Sequence, residues 1–150
     1  MKRLLFIIGL IGIGVSGMAQ DAASLIKWEF RFSKPSLDVG DEVEAIFSAQ
    51  IQKGWRLYTS RSNETELPAA SFEFAENGSF EVLNQVKPIA PIQLHDDKCS
   101  IERCFFAQQG EFRSKIRVTE TTFNLRGVIQ GQVCNEQSGL CLPFKQTFQF

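Results

Sequence analysis

The chain has 150 residues, with 16 Lys+Arg against 17 Asp+Glu for a net charge of -1. That length suits one domain with its own core and excludes two ordinary ones. At 43% hydrophobic and 22% charged residues, the composition excludes long disorder, and the near-neutral balance lacks the basic footprint of a nucleic-acid binder.

The chain opens with a tripartite leader pattern. Lys2 and Arg3 are basic, Leu4 to Val15 is apolar, and Ser16-Gly17-Met18-Ala19 is small and precedes Gln20. This order predicts a secretory signal peptide over residues 1–19, cleaved after Ala19. The apolar run would extend only about 18 Å as a helix, short of the roughly 30 Å hydrocarbon core. The mature chain, 20–150, is expected to be one domain with no membrane span. It retains all four cysteines, Cys99, Cys104, Cys134 and Cys141, in a setting where disulfides persist.

The remaining sequence reads as short strands. Ile26, Trp28, Phe30 and Phe32 alternate with polar residues, as do Val43, Ala45, Phe47, Ala49 and Ile51 after a turn around Asp38–Asp41. Period two marks strands with one buried face. Phe72 and Phe74 precede Asn77-Gly78, and Phe80 and Val82 follow it, which predicts a hairpin. Phe112 to Val118 continues the alternation. Phe123 to Val133 reads as a long strand, broken at a glycine, and Phe144 to Phe150 as the last. No segment shows a 3.6-residue period. Many short strands separated by turn signals predict an all-β antiparallel sandwich.

Four cysteines allow three pairings, and spacing favours the two local ones, Cys99 with Cys104 and Cys134 with Cys141. Both Trp precede every Cys, unlike the inter-sheet staple of immunoglobulin domains. Six residues separate Cys134 from Cys141, which suits a wide hairpin loop turned by Gly139. Opposed residues of a non-hydrogen-bonded antiparallel pair lie within disulfide reach. Such a local bond is a modest staple of about 2.5 kcal/mol in the chain-entropy model, but an accessible target for a thiolate.

The segment Gly131-Gln-Val-Cys-Asn-Glu-Gln-Ser-Gly-Leu-Cys-Leu-Pro-Phe-Lys resembles the closing hairpin of the N-terminal periplasmic domain of the DsbD thiol:disulfide interchange family. Gly54-Trp55-Arg56-Leu57-Tyr58 is similar to that family's Gly-aromatic-x-x-Tyr segment, and Pro68, Phe72 and Phe74 to the stretch after it. The resemblance implies an immunoglobulin-like β-sandwich whose hairpin disulfide relays reducing equivalents. Cys134 and Cys141 would be the exchanging pair. Partners would be thioredoxin-like periplasmic proteins, and the electron donor a separate DsbD-like membrane protein, because this chain carries no transmembrane or thioredoxin domain. The family shields its pair with a cap segment, here matched by about His95 to Phe106. That region contains Cys99 and Cys104, as a second disulfide or part of the cap. Phe105 and Phe106 would supply the aromatic shield.

Other readings compete. His95, beside Asp96 and Asp97, could tune a thiol, though a solvated loop explains it as well. The four cysteines fall in C-x4-C and C-x6-C spacings, looser than zinc knuckles, so no metal or other cofactor is expected. The alternative function is a non-catalytic secreted β-sandwich that binds a partner and uses its disulfides as staples.

Overall fold

The computed structural model describes residues 22–59, 69–76, 78–96 and 101–150. The expected leader, and Cys99, lie outside the described residues. Among the described residues a 3-10 turn, Ala22–Ser24, precedes eleven strands: β1 Ile26–Phe32, β2 Glu42–Ile51, β3 Trp55–Tyr58, β4 Ser71–Phe74, β5 Phe80–Val82, β6 Lys87–Pro88, β7 Ile92–Asp96, β8 Ile101–Ala107, β9 Gln109–Val118, β10 Arg126–Asn135 and β11 Cys141–Gln149. Among the described residues no helix is long and apolar enough to cross a membrane.

Every strand pairing is antiparallel. The ladder runs β1-β2-β9-β8-β3-β10-β11, with β5 and β6 on β9, β4 on β10 and β7 on β8. Its weak point is β8–β9, joined only through Ala107 and Gln109. Gln108 between them has φ 66°, a left-handed conformation that non-glycine residues rarely adopt. The chain folds over at this corner into two layers, β1, β2, β9, β5 and β6 against β7, β8, β3, β10, β4 and β11. This is an immunoglobulin-like antiparallel β-sandwich.

Phenylalanine fills the space between the layers. Phe47 of β2 is fully buried and meets Phe72 of β4 at 4.9 Å and Phe148 of β11 at 5.0 Å between ring centroids. Trp28 of β1 reaches Phe144 of β11 at 6.2 Å. Phe30 reaches Phe148 at 5.7 Å. Phe112 of β9 meets Phe72 at 5.0 Å and Phe106 of β8 at 5.2 Å. Mostly edge-on and tilted geometries suit the ring quadrupole, and such pairs add about 0.5–1.5 kcal/mol each beyond burial. Phe side chains carry no polar group that would need a partner here, which explains why they outnumber Tyr and Trp.

Two expectations change. Asn77 of the expected Asn77-Gly78 turn lies outside the described residues, while Gly78 takes the left-handed φ of 76°. The flanking strands do not form a hairpin, however: β4 pairs with β10 and β5 with β9, in opposite layers. A local turn signal fixes where the chain reverses, while the apolar faces of Phe72 and Phe74 decide which strand it joins. The long late strand begins at Arg126 and runs unbroken through Gly127 and Gly131. A Cβ on Gly127 would stand 2.6 Å from the Phe148 ring and one on Gly131 3.2 Å from the Phe144 ring, so both glycines let these rings approach the strand closely.

Among the described residues β11 pairs with β10 alone, which makes it an edge strand. Pro143 sits on it opposite Gln132. Its position has the same parity as Cys141, whose pair with Cys134 lies between ladder hydrogen bonds, since Asn135 N–H donates to the Leu140 carbonyl at 2.8 Å. The missing N–H of Pro143 therefore points away from β10, the orientation that an edge strand tolerates.

Candidate functional site

The β10–β11 hairpin places Cys134 opposite Cys141, with Cα atoms 4.0 Å apart and the two sulfurs bonded. The loop between them is ordered by Asn135. Its side-chain oxygen accepts hydrogen bonds from the Gln137 and Ser138 backbone N–H groups, each at 3.0 Å. Gly139 N–H donates to the Asn135 carbonyl at 3.0 Å, and Gly139 takes φ 71°. An Asx turn followed by a left-handed glycine suits a tight reversal.

Side chains alternate faces along a strand. Val133 is fully buried in the main core, so Cys134 faces outward. An outward residue on a sheet is usually wet, yet Cys134 is only 5% exposed. Its cover comes from the strands beside it. In β3, Trp55 and Leu57 enter the main core, so Arg56 and Tyr58 face the same way as Cys134. Arg56 is the direct ladder partner of Cys134, and Tyr58 is that of Phe105 in β8. Tyr58, Phe105 and Cys134 form a small apolar cluster apart from the main core, with Ala107 and Cys141 packed on it. The Tyr58 and Phe105 rings lie 6.0 Å apart.

Charge completes the cover. The Arg56 guanidinium carbon lies 4.4 Å from the Phe105 ring centroid, within cation–π range. Arg56 Nη2 donates to Glu136 Oε2 at 3.3 Å. Arg56 thus bridges the aromatic cover and the hairpin loop. Cys141 is half-buried, and its neighbour Leu140 is 54% exposed.

The sequence-selected residues separate on this frame. Phe105 lies over the disulfide, whereas Phe106 points the other way and packs in the main core against Phe112. The cap segment from about His95 to Phe106 is largely strand: β7 and β8 pair from Ile92↔Phe105 to Asp96↔Ile101. Cys104 is a partly buried free cysteine. It shares the strand face of Phe106, not that of Cys134. The four-cysteine metal arrangement loses two of its ligands to the Cys134–Cys141 bond.

In the sequence Arg56 and Tyr58 stand out only as members of the Gly54–Tyr58 segment, with no part at the cysteine pair. Their place follows from the β3–β10 register, which no local pattern encodes. Gly54 followed by alternating Trp55 and Leu57 was the one available sign that Arg56 and Tyr58 face outward.

Fold and site define an all-β sandwich domain that carries a shielded disulfide at the tip of its closing hairpin. The chain belongs to the family described as thiol:disulfide interchange protein DsbD, N-terminal, which it matches over residues 22–150, and so to the proteins of thiol–disulfide interchange in general. Among solved structures it is similar to the N-terminal periplasmic domain of ScsB from Proteus mirabilis, with a TM-score of 0.59 and 16% identity, covering 86% of this chain and 47% of that one. The chain thus spans about half the length of that neighbour, and the likeness is one of fold. It is also similar to the Neisseria meningitidis DsbD N-terminal domain in the reduced form, with a TM-score of 0.45 and 15% identity, covering 76% of this chain and 78% of that one. No relative is found among curated protein sequences.

Proposed function

We propose that this domain is a periplasmic electron carrier that relays reducing equivalents through Cys134–Cys141, taking them from a dithiol donor and passing them to thioredoxin-like proteins. A DsbD-like membrane protein is the proposed donor, and the signal peptide over 1–19 the route of export. The single observation that carries the reading is the unequal exposure of the two sulfurs' residues. Cys134 is buried under Tyr58 and Phe105, while Cys141 is half-open at the hairpin tip.

Thiol exchange needs a thiolate to reach a sulfur. Cys141 is the more exposed residue of the pair, and its sulfur is the proposed point of attack. A donor thiolate attacks Cys141 Sγ, a donor–Cys141 disulfide forms, and the Cys134–Cys141 bond breaks with its electron pair left on Cys134 Sγ. The donor's second thiolate then attacks the donor sulfur of the mixed disulfide and releases Cys141 as a thiolate. The donor dithiol is oxidised by two electrons and this domain is reduced by two, and the thiolates take protons from water. The reverse sequence, started by the Cys141 thiolate, reduces an acceptor disulfide.

Trapping tests the reading. Cys134→Ser leaves Cys141 as the attacking thiol and should accumulate a mixed disulfide with an oxidised thioredoxin-like protein, resolved on a non-reducing gel. Cys141→Ser should accumulate far less. The pair should equilibrate with a potential of about -180 to -270 mV, among exchanging pairs. A potential below about -300 mV with no trapped species from either variant would make the bond a staple and the domain a non-catalytic module.

A further inference from the structure

Arg56 sits where a charge would act on the exchange. It is the cross-strand partner of Cys134 on the same sheet face, and Cβ atoms of such pairs lie about 4.5–5.5 Å apart. Its guanidinium is fixed in place by two contacts of different kinds, the Phe105 ring at 4.4 Å and Glu136 Oε2 at 3.3 Å. Its Nε is buried and finds no hydrogen-bond acceptor among the described residues. A buried donor without an acceptor is costly, and it lies on the strand face that holds a sulfur able to become one.

We infer that Arg56 is a positioning residue for the exchange, one that stabilises Cys134 as a thiolate while locking Phe105 over the disulfide. This rests on the exchange reading above. When Cys141 is attacked, the electron pair of the broken bond goes to Cys134, and a leaving thiol of lower pKa leaves faster. Burial alone opposes this, because desolvation disfavours the charged sulfur. A guanidinium, planar and always charged, offsets that cost at the site where negative charge appears. Glu136 moderates the effect by drawing the guanidinium toward the loop and adding a negative charge of its own.

The ionisable and charged groups that face Cys134 among the described side chains are few. β3 supplies Arg56 and Tyr58, β11 supplies Cys141 with Lys145 farther along the same face, and the hairpin loop supplies Glu136. Among its described side chains β8 supplies Phe105 and Ala107 there. Arg56 and Glu136 are the pair whose removal should move the thiolate in opposite directions.

The test is a pH titration of the Cys134 Cβ resonance by NMR in 13C-cysteine-labelled, fully reduced protein. Arg56→Met should raise the Cys134 titration midpoint by about one pH unit, the effect of losing an opposite charge at this range. Glu136→Gln should lower it, and Arg56→Lys, which keeps the charge but loses the planar stack, should stay near wild type. A purely structural role would shift both charge-removing variants the same way. An unchanged midpoint in Arg56→Met, or shifts of like sign in Arg56→Met and Glu136→Gln, overturns the inference. The same spectra report folding; if Arg56→Met does not fold, Glu136→Gln and Arg56→Lys decide, and a Glu136→Gln midpoint that fails to fall overturns it. Because the titration uses protein already reduced, it is independent of trapping: loss of trapped species sinks the exchange reading, and unmoved midpoints sink only the role of Arg56.

Discussion

Cys104 and Phe105, neighbours in sequence, face opposite sides of β8. Phe105 lies over the Cys134–Cys141 bond with Tyr58, while Cys104 shares the side of Phe106, a main-core residue. One strand therefore offers the disulfide an aromatic cover and holds a thiol away from it.

Direct exchange between Cys104 and Cys134 is then blocked by the sheet itself. Cys104→Ser should leave the rate at which dithiothreitol reduces Cys134–Cys141 unchanged. In Cys141→Ser, mild oxidation should not join Cys104 to Cys134. Peptide mapping after oxidation checks both residues, and a recovered Cys104–Cys134 bond would refute the opposed placement.

Phe105 should control access. Phe105→Ala removes most of the apolar cover and the surface on which Arg56 stacks. The disulfide should be reduced several-fold faster by dithiothreitol, and the domain should lose about 3 kcal/mol of stability, as large-to-small changes at buried aromatic sites do. Stopped-flow reduction and urea unfolding measure the two effects separately. A variant that unfolds more easily but is reduced at the wild-type rate would assign Phe105 to packing alone.

The outer face of β2, β9 and β5 carries a charge ladder. Glu42 bonds Lys115 at 2.6 Å and Arg117 at 2.7 Å, and Arg117 also bonds Glu81 at 2.8 Å. The hydrogen bonds from Lys115 and then Arg117 pull the Glu42 carboxyl down from its ordinary 4.5 to about 2. A carboxylate whose folded pKa is depressed stabilises the fold above its unfolded pKa and loses that contribution as pH falls through the folded one. Wild type should therefore weaken between about pH 4.5 and 2 more steeply than Glu42→Gln, with the gap shrinking at high salt. Thermal melts across that range would contradict the assignment if the two curves ran parallel.

Gly127 is fixed by its surroundings. A Cβ there would stand 2.1 Å from the Glu73 carbonyl oxygen and 2.6 Å from Phe148 Cζ. The Glu73 oxygen belongs to the backbone of β4 and cannot swing aside. Gly127→Ala should cost at least the roughly 1–3 kcal/mol of an overpacked core, read as a lowered urea midpoint. A midpoint within error of wild type would show that β4 yields.

The sequence made the core strands readable and left the site half-hidden. β1, β2, β9 and β11 each bury one face against the other layer, so Trp28, Phe30, Phe47, Phe112 and Phe148 print a clean period of two. β7 and β8 do not: Ile92 and Leu94 are each 46% exposed, and the polar residues around Cys99 carry no apolar stripe. The sequence there reads as a loop for want of that stripe. The Cys134–Cys141 pair was legible because seven positions of separation keep it local. Tyr58 and Arg56 lie far from Cys134 in the chain, and only the β3–β10 register brings them to it.

Pro143 has a consequence at high protein concentration. An open edge strand is a template on which a second copy can zip, strand to strand. On β11 that zipper would run past Cys141, and two chains held in this way could trade sulfurs with each other. By withholding an outward N–H two residues from Cys141, Pro143 interrupts the template beside the disulfide. A self-pairing hazard is thereby reduced at the edge position nearest the hairpin tip.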